Sequence, residues 1–322
     1  MEKHIYEVSV VIPNYNGSKY LPECLNALLK QTFTNFETIV IDNGSEDDSI
    51  AVIQRDFSWV KLICFRENFG FCRAVNEGIY ASKAPYVILL NNDTRVDENF
   101  VGELLAGIKR SKKRFSCQAN MIQYCNHQLM DDAGNYYNAL GWAFARGKGK
   151  PVEKYEKEKK VFSCCGGASI YRKSVFQEIG YFDEKHFAYL EDTDIGYRAR
   201  IFGYQNVYTP KAKVYHVGSG TSGSRYNLFK VRYSSRNNVY LIYKNMPLFQ
   251  KLLNLPLLVL GFVVKFAFFA AKGYGKEYAA GIFRGLRLCS REKKVPFCRK
   301  NILNYLKIQF ELWINIIRKF AD

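Results

Sequence analysis

Apolar and polar positions fall into alternating blocks along the first ninety residues. Val8 to Ile12, dominated by valine and isoleucine, halts at Pro13 and predicts a buried strand. Asn14 to Ser18 is turn chemistry, after which Leu21, Leu25, Leu28 and Leu29 recur at helical spacing up to Gln31. Thr38 to Ile41 predicts a second strand. It ends in Asp42-Asn43-Gly44-Ser45, where Ser45 or Asp47 can cap a helix carrying Ile50 to Ile53. Val60 to Cys64 reads as a third strand, Phe69 to Tyr80 as a helix, and Tyr86 to Leu90 as a fourth strand running into Asn91-Asn92-Asp93. Strands alternating with helices at this spacing predict an α/β fold with a doubly wound, largely parallel sheet and flanking helices. Ligands of such sheets sit at the carboxyl ends of the strands, which is where Asn14, Asp42, Asn68 and Asp93 lie.

The pattern is less regular from Phe115 to Tyr171. Within it, Lys148 to Lys160 is so highly charged that an exposed, mobile loop is expected, and Gly166-Gly167-Ala168 marks a close-packed strand or turn. Ser174 to Ile179 predicts a short helix closed by Gly180; Asp192 to Phe202 predicts another, closed by Gly203. Val207 to Tyr215 then returns as extended chain to His216.

After about Asn245 the pattern changes again. Leu252 to Ala271 is almost wholly apolar, broken by Asn254, Pro256 and Lys265, and is about as long as a membrane span. A lysine near the middle of a span costs about 2.5–3.5 kcal/mol on insertion scales. Basic helices follow, from Gly281 to Leu288 and from Asn301 to Phe320. In the second, Ile302, Leu303, Leu306, Phe310, Trp313, Ile314 and Ile317 gather on one broad face, with Lys307, Arg318 and Lys319 toward another. The expected division is an α/β domain over residues 1–245 and a helical membrane-associating region over 246–322, lying in the membrane plane. The alternative is that these helices simply cover the first domain.

Composition narrows the partners. With 322 residues, 48% hydrophobic and 24% charged, the chain is globular in character. Its formal net charge of +17 suits a polyanion: nucleic acid, anionic lipid or a phosphate-bearing substrate. Fourteen lysines and arginines stand against four acids from Lys251 to Asp322, beside the apolar stretch. An anionic membrane surface fits that arrangement. Nucleic acid does not, because no basic-aromatic face or nucleic-acid module accompanies the charge. The nine cysteines contain no C-x-x-C pair, so neither a zinc site nor a disulfide framework is expected. The polar lead MEKHIYEVSVVIP lacks a signal-peptide core. The expected location is the cytoplasmic face of the cell membrane, peripheral or monotopic.

The chemistry-bearing clusters are Val10-Val11-Ile12-Pro13-Asn14-Tyr15-Asn16-Gly17, Val40-Ile41-Asp42-Asn43-Gly44-Ser45, Asn68-Phe69-Gly70 through Asn76-Glu77-Gly78, Leu89-Leu90-Asn91-Asn92-Asp93, and Phe182-Asp183 through Glu191-Asp192-Thr193-Asp194 with His216 beyond. In this order and spacing they resemble family 2 glycosyltransferases over about residues 8 to 240, most closely the rhamnosyl- and galactofuranosyl-transferase-like branch. The resemblance implies a GT-A (Rossmann-like) fold and a UDP- or dTDP-sugar donor. It also implies a divalent metal, Mn²⁺ or Mg²⁺, and inverting transfer of a hexosyl or deoxyhexosyl group to a hydroxyl of a glycan or lipid-linked acceptor, in cell-surface polysaccharide synthesis. A non-catalytic relative that binds nucleotide-sugar or glycan as a scaffold is the alternative.

By the same resemblance Asp42 reads the nucleotide base, helped by the backbone at Pro13 and Asn14, although an Asp there can also cap the next helix. Asn16, Asn68, Asn91, Asn92 and Arg73 join the donor-binding set, with Arg66 as a further phosphate candidate. Asp93 stands at the metal-binding D-x-D position, its first acid replaced by Asn91; a turn aspartate is the plain alternative. His216 completes the metal site or contacts the diphosphate. Asp192 is the general base, since a carboxylate beside the acceptor hydroxyl can take its proton during attack. Glu191 and Asp194 orient the base or the acceptor; acids at a helix N-terminus also suit the helix dipole alone. Gly167 and Arg236 are acceptor candidates, Arg225 and Arg232 phosphate candidates, and Gly218 to Gly223 reads as a lid.

Overall fold

The computed structural model describes residues 6–218, 226–290 and 294–321, so Arg225 and all but the first residue of the expected glycine lid lie outside it. The first half alternates as expected: β1 (Val8–Asn14), α1 (Leu21–Leu29), β2 (Phe36–Asp42), α2 (Ser49–Asp56), β3 (Lys61–Cys64), α3 (Phe71–Ala81) and β4 (Tyr86–Leu90). β1 pairs in parallel with both β2 and β4, and β2 with β3. Pro13 does not end β1; it pairs opposite Ile41 one residue before the strand exit, a position where a missing N–H is tolerated.

The second half supplies β5 (Thr94–Val96), α4 (Phe100–Lys109), β6 (Arg114–Gln123), β7 (Met130–Asp132), β8 (Asn135–Tyr137), β9 (Ala143–Ala145), β10 (Lys159–Val161), β11 (Ala168–Arg172), α5 (Lys173–Ile179), α6 (Glu191–Ile201) and β12 (Gln205–His216). The main sheet runs β10-β12-β6-β11-β4-β1-β2-β3, with β5 on β12 and β7 on β6. β11 runs against β4 and β6, and β10 against β12; the other strands of this path are parallel. The sheet is thus the mostly parallel one expected, with helices on its faces. Both short helices end at the glycines foreseen, Gly180 and Gly203.

Residues 148–160 differ from expectation. They are not a free charged loop but an ordered edge: Tyr155 is buried, its carbonyl accepts from the Tyr208 hydroxyl at 2.8 Å, and Lys159 and Lys160 begin β10. Lys148 bonds the buried Asp131 while Lys154, Lys157, Lys159 and Lys160 are exposed, and Tyr155 and Val161 anchor the segment. The central strand β6 is hard to see in sequence because Ser116, Gln118 and Asn120 alternate in it as they would on a surface. They are buried instead. Ser116 donates to Asn206 Oδ1 (2.8 Å) and Gln118 to Asp132 Oδ1 (2.8 Å).

Four helices complete the chain: α7 (Leu228–Asn245), α8 (Leu248–Ala271), α9 (Gly275–Cys289) and α10 (Ile302–Ala321). The boundary near residue 245 falls between α7 and α8 but does not separate two cores. One hydrophobic cluster joins Met130, Tyr137, Phe162, Tyr197 and Tyr208 to Leu241, Leu258, Tyr305, Ile308 and Leu312. α8 is long and apolar enough to cross a membrane. Its stripe Gln250, Asn254, Leu258 and Gly261 is nevertheless buried, and Asn254 and Gln309 of α10 exchange reciprocal amide hydrogen bonds of 2.8 Å. α10 is apolar on two sides. Tyr305, Ile308 and Leu312 face the domain, whereas Leu303, Leu306, Phe310, Ile314 and Ile317 of the face noted in the sequence are exposed.

Candidate active site

A cleft of about 1000 Å³ opens at the carboxyl ends of β1 and β4. Its floor is a chain of amides and one carboxylate that ties three strand exits together. Asn92 donates to Asn14 Oδ1 (2.7 Å), Asn14 donates to Asp42 Oδ2 (2.8 Å), and Asp42 accepts from the Ser45 backbone and hydroxyl (2.9 and 2.7 Å). Alongside, Asn43 donates to Asn68 Oδ1 (3.0 Å) and accepts from the Phe69 backbone (3.0 Å). Pro13, Asn14, Asn68, Asn91 and Asn92 therefore line the cleft as foreseen, together with Tyr15 and Asn43. Asp42 does not. It is fully buried behind Asn14 with both oxygens engaged, so the wall itself presents Asn14 and the backbone of residues 13–15.

Asp93 and His216 meet on the same cleft. His216 Nε2 is 3.2 Å from Asp93 Oδ1, buried, and without an aligned hydrogen-bond partner; its other nitrogen, Nδ1, is 2.7 Å from Asp131 Oδ2. Burial alone would lower the imidazole's pKa, but the hydrogen bond with Asp131 and the charges of Asp131 and Asp93 outweigh it and push it up to about 9. Burial would raise Asp131; its bond to His216 and the charge of Lys148, 2.7 Å away, hold it down at about 2. An oxygen and an imidazole nitrogen side by side, the imidazole oriented through its far nitrogen by a carboxylate, is a donor set that fits Mn²⁺ or Mg²⁺ once a diphosphate supplies further oxygens. Among the described residues no group of three or more His, Cys, Asp and Glu converges as a cage.

Glu191 and Asp192 open α6 and also line the cleft. Asp192 is half-buried and held at both oxygens: Oδ1 accepts from the Thr193 backbone (2.6 Å) and Oδ2 from Asn135 of β8 (2.9 Å). Burial raises both carboxyls above the ordinary range, and for Glu191 the neighbouring Asp192 charge adds to it. A carboxylate so raised and so oriented suits proton abstraction near neutral pH.

Several residues expected at the site lie elsewhere. Asp194 is fully buried, bound by Arg198 (2.8 Å), Lys244 (3.0 Å) and Asn245 (2.7 Å), and turned into the core rather than toward an acceptor. Arg236 reaches the carbonyls of Lys185 and His186 rather than the cleft. Arg73 is exposed and pairs with Glu184, Arg232 pairs with Glu277, and Arg66 is exposed outside the cleft. Asn16 braces the loop above, accepting from the Glu46 backbone (2.8 Å). Gly167 does line the cleft, where a Cβ would fall 2.9 Å from the Asn91 amide. Sequence reasoning missed Asn135 and Asp131. Neither carries a local signal, because each acts on a partner more than fifty positions away.

The sheet order and the cleft at its strand exits are those of the GT-A glycosyltransferase fold. The structure superposes on GalNAc-T7 solved with UDP, GalNAc and Mn²⁺ with a TM-score of 0.60 and 18% identity, over 75% of this chain and 48% of that one. It superposes on Staphylococcus aureus TarS 1–349 in complex with UDP with a TM-score of 0.52 and 15% identity, over 91% of this chain and 94% of that one. The family model for glycosyl transferase family 2 matches residues 9–180, and the chain belongs to that family. Among curated relatives, an uncharacterized glycosyltransferase of Rickettsia prowazekii is 29% identical over 62% of this chain and 60% of its own length. The N-acetylglucosaminyl-diphospho-decaprenol L-rhamnosyltransferase of Mycobacterium tuberculosis is 26% identical over 66% of this chain and 77% of its own. The matched region thus spans about 60% of the Rickettsia relative.

Proposed function

We propose that this protein is an inverting glycosyltransferase that moves a monosaccharide, hexosyl or deoxyhexosyl, from a UDP- or dTDP-sugar to a hydroxyl of a glycan or lipid-linked acceptor in cell-surface polysaccharide synthesis. The observation that carries this reading is the convergence of the Asp93–His216 pair and the Glu191–Asp192 pair on one cleft floored by Asn14, Asn68 and Asn92. Asn14, the backbone of residues 13–15 and Asn68 hold the nucleotide, with Asp42 fixing Asn14 from behind. Asp93 and His216 would hold a divalent cation, which would supply neutralisation of charge on the leaving diphosphate. Asp192 takes the proton from the acceptor hydroxyl as that oxygen bonds to the anomeric carbon, and the bond to the diphosphate oxygen breaks on the opposite face. The configuration therefore inverts. The M. tuberculosis relative, named for a rhamnosyl transfer to a lipid-linked sugar, supports the rhamnosyl-type branch for this chain.

The exposed apolar face of α10 and the unburied sides of α8, together with the basic charge of the C-terminal quarter, support attachment to the cytoplasmic face of an anionic membrane in its plane.

The deciding experiment is a screen of UDP-, dTDP- and GDP-sugars with Mn²⁺, comparing wild type with Asp192→Asn. Wild type is expected to release nucleotide from at least one sugar, and the variant to bind UDP unchanged while losing turnover. Near-normal turnover in the variant removes Asp192 from the role of base; no turnover of any sugar by wild type favours the non-catalytic scaffold.

A further inference from the structure

Glu191 and Asp192 follow a turn whose backbone suits its residues poorly. Phe187, Tyr189 and Leu190 all have positive φ, at 61°, 71° and 66°. This left-handed region is unfavourable for any residue with a Cβ, and a large side chain adopts it only where its surroundings impose it. The surroundings here are supplied by α7. The amide nitrogen of Asn237, fully buried, donates toward the carbonyls of His186 (2.9 Å), Ala188 (2.8 Å) and Tyr189 (2.7 Å). Arg236 fixes which end of that amide faces the turn. Its Nε donates to Asn237 Oδ1 (2.8 Å), and its Nη2 donates to the carbonyls of Lys185 (2.5 Å) and His186 (2.8 Å). Two adjacent side chains thus collect the carbonyls of Lys185, His186, Ala188 and Tyr189.

α7 is supported in turn at the same level. A Cβ on Gly281 of α9 would fall 2.6 Å from the Arg232 carbonyl, and one on Gly285 would fall 2.6 Å from the Arg236 carbonyl. The two helices touch backbone to backbone directly behind the residues that pin the turn. One turn earlier on the same face of α7, Tyr233 packs on Phe187, with ring centroids 5.3 Å apart.

We infer that Asn237 is a positioning residue for the Glu191–Asp192 carboxylates: it holds the turn at residues 187–190, with Phe187, Tyr189 and Leu190 at positive φ, and so aims Asp192 into the cleft, and the α7–α9 contact at Gly281 and Gly285 makes the C-terminal helices part of that support. The inference rests on the reading of Asp192 as base. Its chemistry is indirect, since the Asn237 side chain touches only backbone carbonyls and Arg236.

The experiment uses the full chain and three forms: wild type, Asn237→Ala and Gly285→Ala. Hydrogen exchange read by mass spectrometry is expected to quicken at least about tenfold in the peptide covering residues 185–192 of Asn237→Ala, while β1 and β4 stay protected. Gly285→Ala should loosen the same peptide to a lesser degree. UDP affinity with Mn²⁺, measured by calorimetry, should stay within about threefold, because Asn237, unlike Phe229 and Lys230 of the same helix, does not line the cleft. Nucleotide release from UDP-glucose, UDP-N-acetylglucosamine and dTDP-rhamnose should lose about 10²-fold in kcat with KM little changed, the penalty of misplacing a reacting group by an ångström. A fold-wide stability role would instead raise exchange in the strands and weaken UDP binding as well. Unchanged exchange at 185–192 in Asn237→Ala overturns the inference, as does faster exchange with full kcat. Should Asn237→Ala fail to fold, unchanged exchange in Gly285→Ala overturns it. If wild type releases nucleotide from none of the three sugars, the donor reading is what fails, and the exchange arm still decides the turn.

Discussion

The two walls of the cleft are built in different ways. The donor wall is made by strand exits: Asn14, Asn43 and Asn92 sit within two residues of β1, β2 and β4, and parallel pairing sets their spacing. The carboxylate wall is made by reach across the chain. Asp192 is held by Asn135, 57 positions away, and the turn before it by Asn237, 48 to 51 positions away. A wall that inherits its geometry from a sheet tolerates change in its surroundings. A wall assembled from a hairpin, a strained turn and a long helix depends on each of them. Substitutions on the two sides should therefore fail differently.

The largest expected effect separates the walls by what is lost. Asp93→Asn removes the carboxylate proposed to hold a cation together with His216, so both Mn²⁺-dependent UDP affinity and turnover should fall, turnover by about 10²–10³-fold. Asp192→Asn should lower turnover by about 10²–10⁴-fold and spare UDP affinity. Calorimetry with UDP and Mn²⁺, run beside nucleotide release, tests the contrast; equal losses of affinity in the two variants would dissolve the distinction between donor wall and carboxylate wall.

The next effect is on stability. Asp194 is buried among Arg198, Lys244 and Asn245, and although burial opposes ionisation, the two cations hold its pKa far below the usual carboxylate range. Removing one partner of such a buried set costs about 3–5 kcal/mol. Because the folded pKa is depressed, the stabilisation is complete above the ordinary carboxylate pKa, near 3.9, and drains away as pH falls below it. Urea unfolding at pH 7 and at pH 3.5 should show Asp194→Asn closing part of its gap to wild type at the lower pH. A constant gap would assign the loss to packing.

These examples also mark what could be read from the sequence. Asn14 and Asn92 were legible as cleft residues because each follows an apolar run, so position along the chain and position in space coincide. Asp192 was legible as an acid at a helix start, but its neighbour Asp194 looked equally available. Only three-dimensional packing turns the one into the cleft and the other onto Arg198 and Lys244. Asp42 misled in the same sense: the strand exit was right, yet Asn14 stands between it and the cleft. β6 was hidden because its alternating polar residues are satisfied by partners the local pattern cannot reveal. The charged stretch at residues 148–160 hid its buried aromatic anchor, Tyr155.

A smaller effect concerns pH and turnover. Burial raises Asp192 above the ordinary carboxylate value, against the hydrogen bonds from Thr193 that pull it down. The proposed base must be unprotonated, so kcat should begin to fall at a pH above the ordinary value near 3.9. Asn135→Ala, which frees Oδ2, tests how far the hairpin matters: it should lower kcat by about tenfold at pH 7 and leave UDP affinity alone, a loss comparable to one hydrogen bond to a charged group. An acid limb near 4 in wild type would mean that water reaches Asp192 more freely than its packing indicates.

The smallest expected effect on the fold is the most telling about the C-terminal helices. Phe310 and Ile317 lie on the outward face of α10, 59% and 70% exposed, while the opposite stripe of Tyr305, Ile308 and Leu312 carries the packing. Replacing both outward residues by glutamate should change the unfolding free energy by no more than about 0.5 kcal/mol each, as for ordinary surface sites. If this face meets a membrane, the same substitutions cost far more there, since burying a large apolar side chain is worth about 1.5–3 kcal/mol and each new carboxylate is repelled by anionic lipid. Flotation with vesicles containing phosphatidylglycerol should therefore drop by one to two orders of magnitude in the double variant, with nucleotide release in detergent unchanged. Flotation equal to wild type would place the attachment on α8 alone or remove it. A large stability loss would mean that the outward face is covered by protein, which would make the C-terminal layer one more long-range support of the kind that holds Asp192.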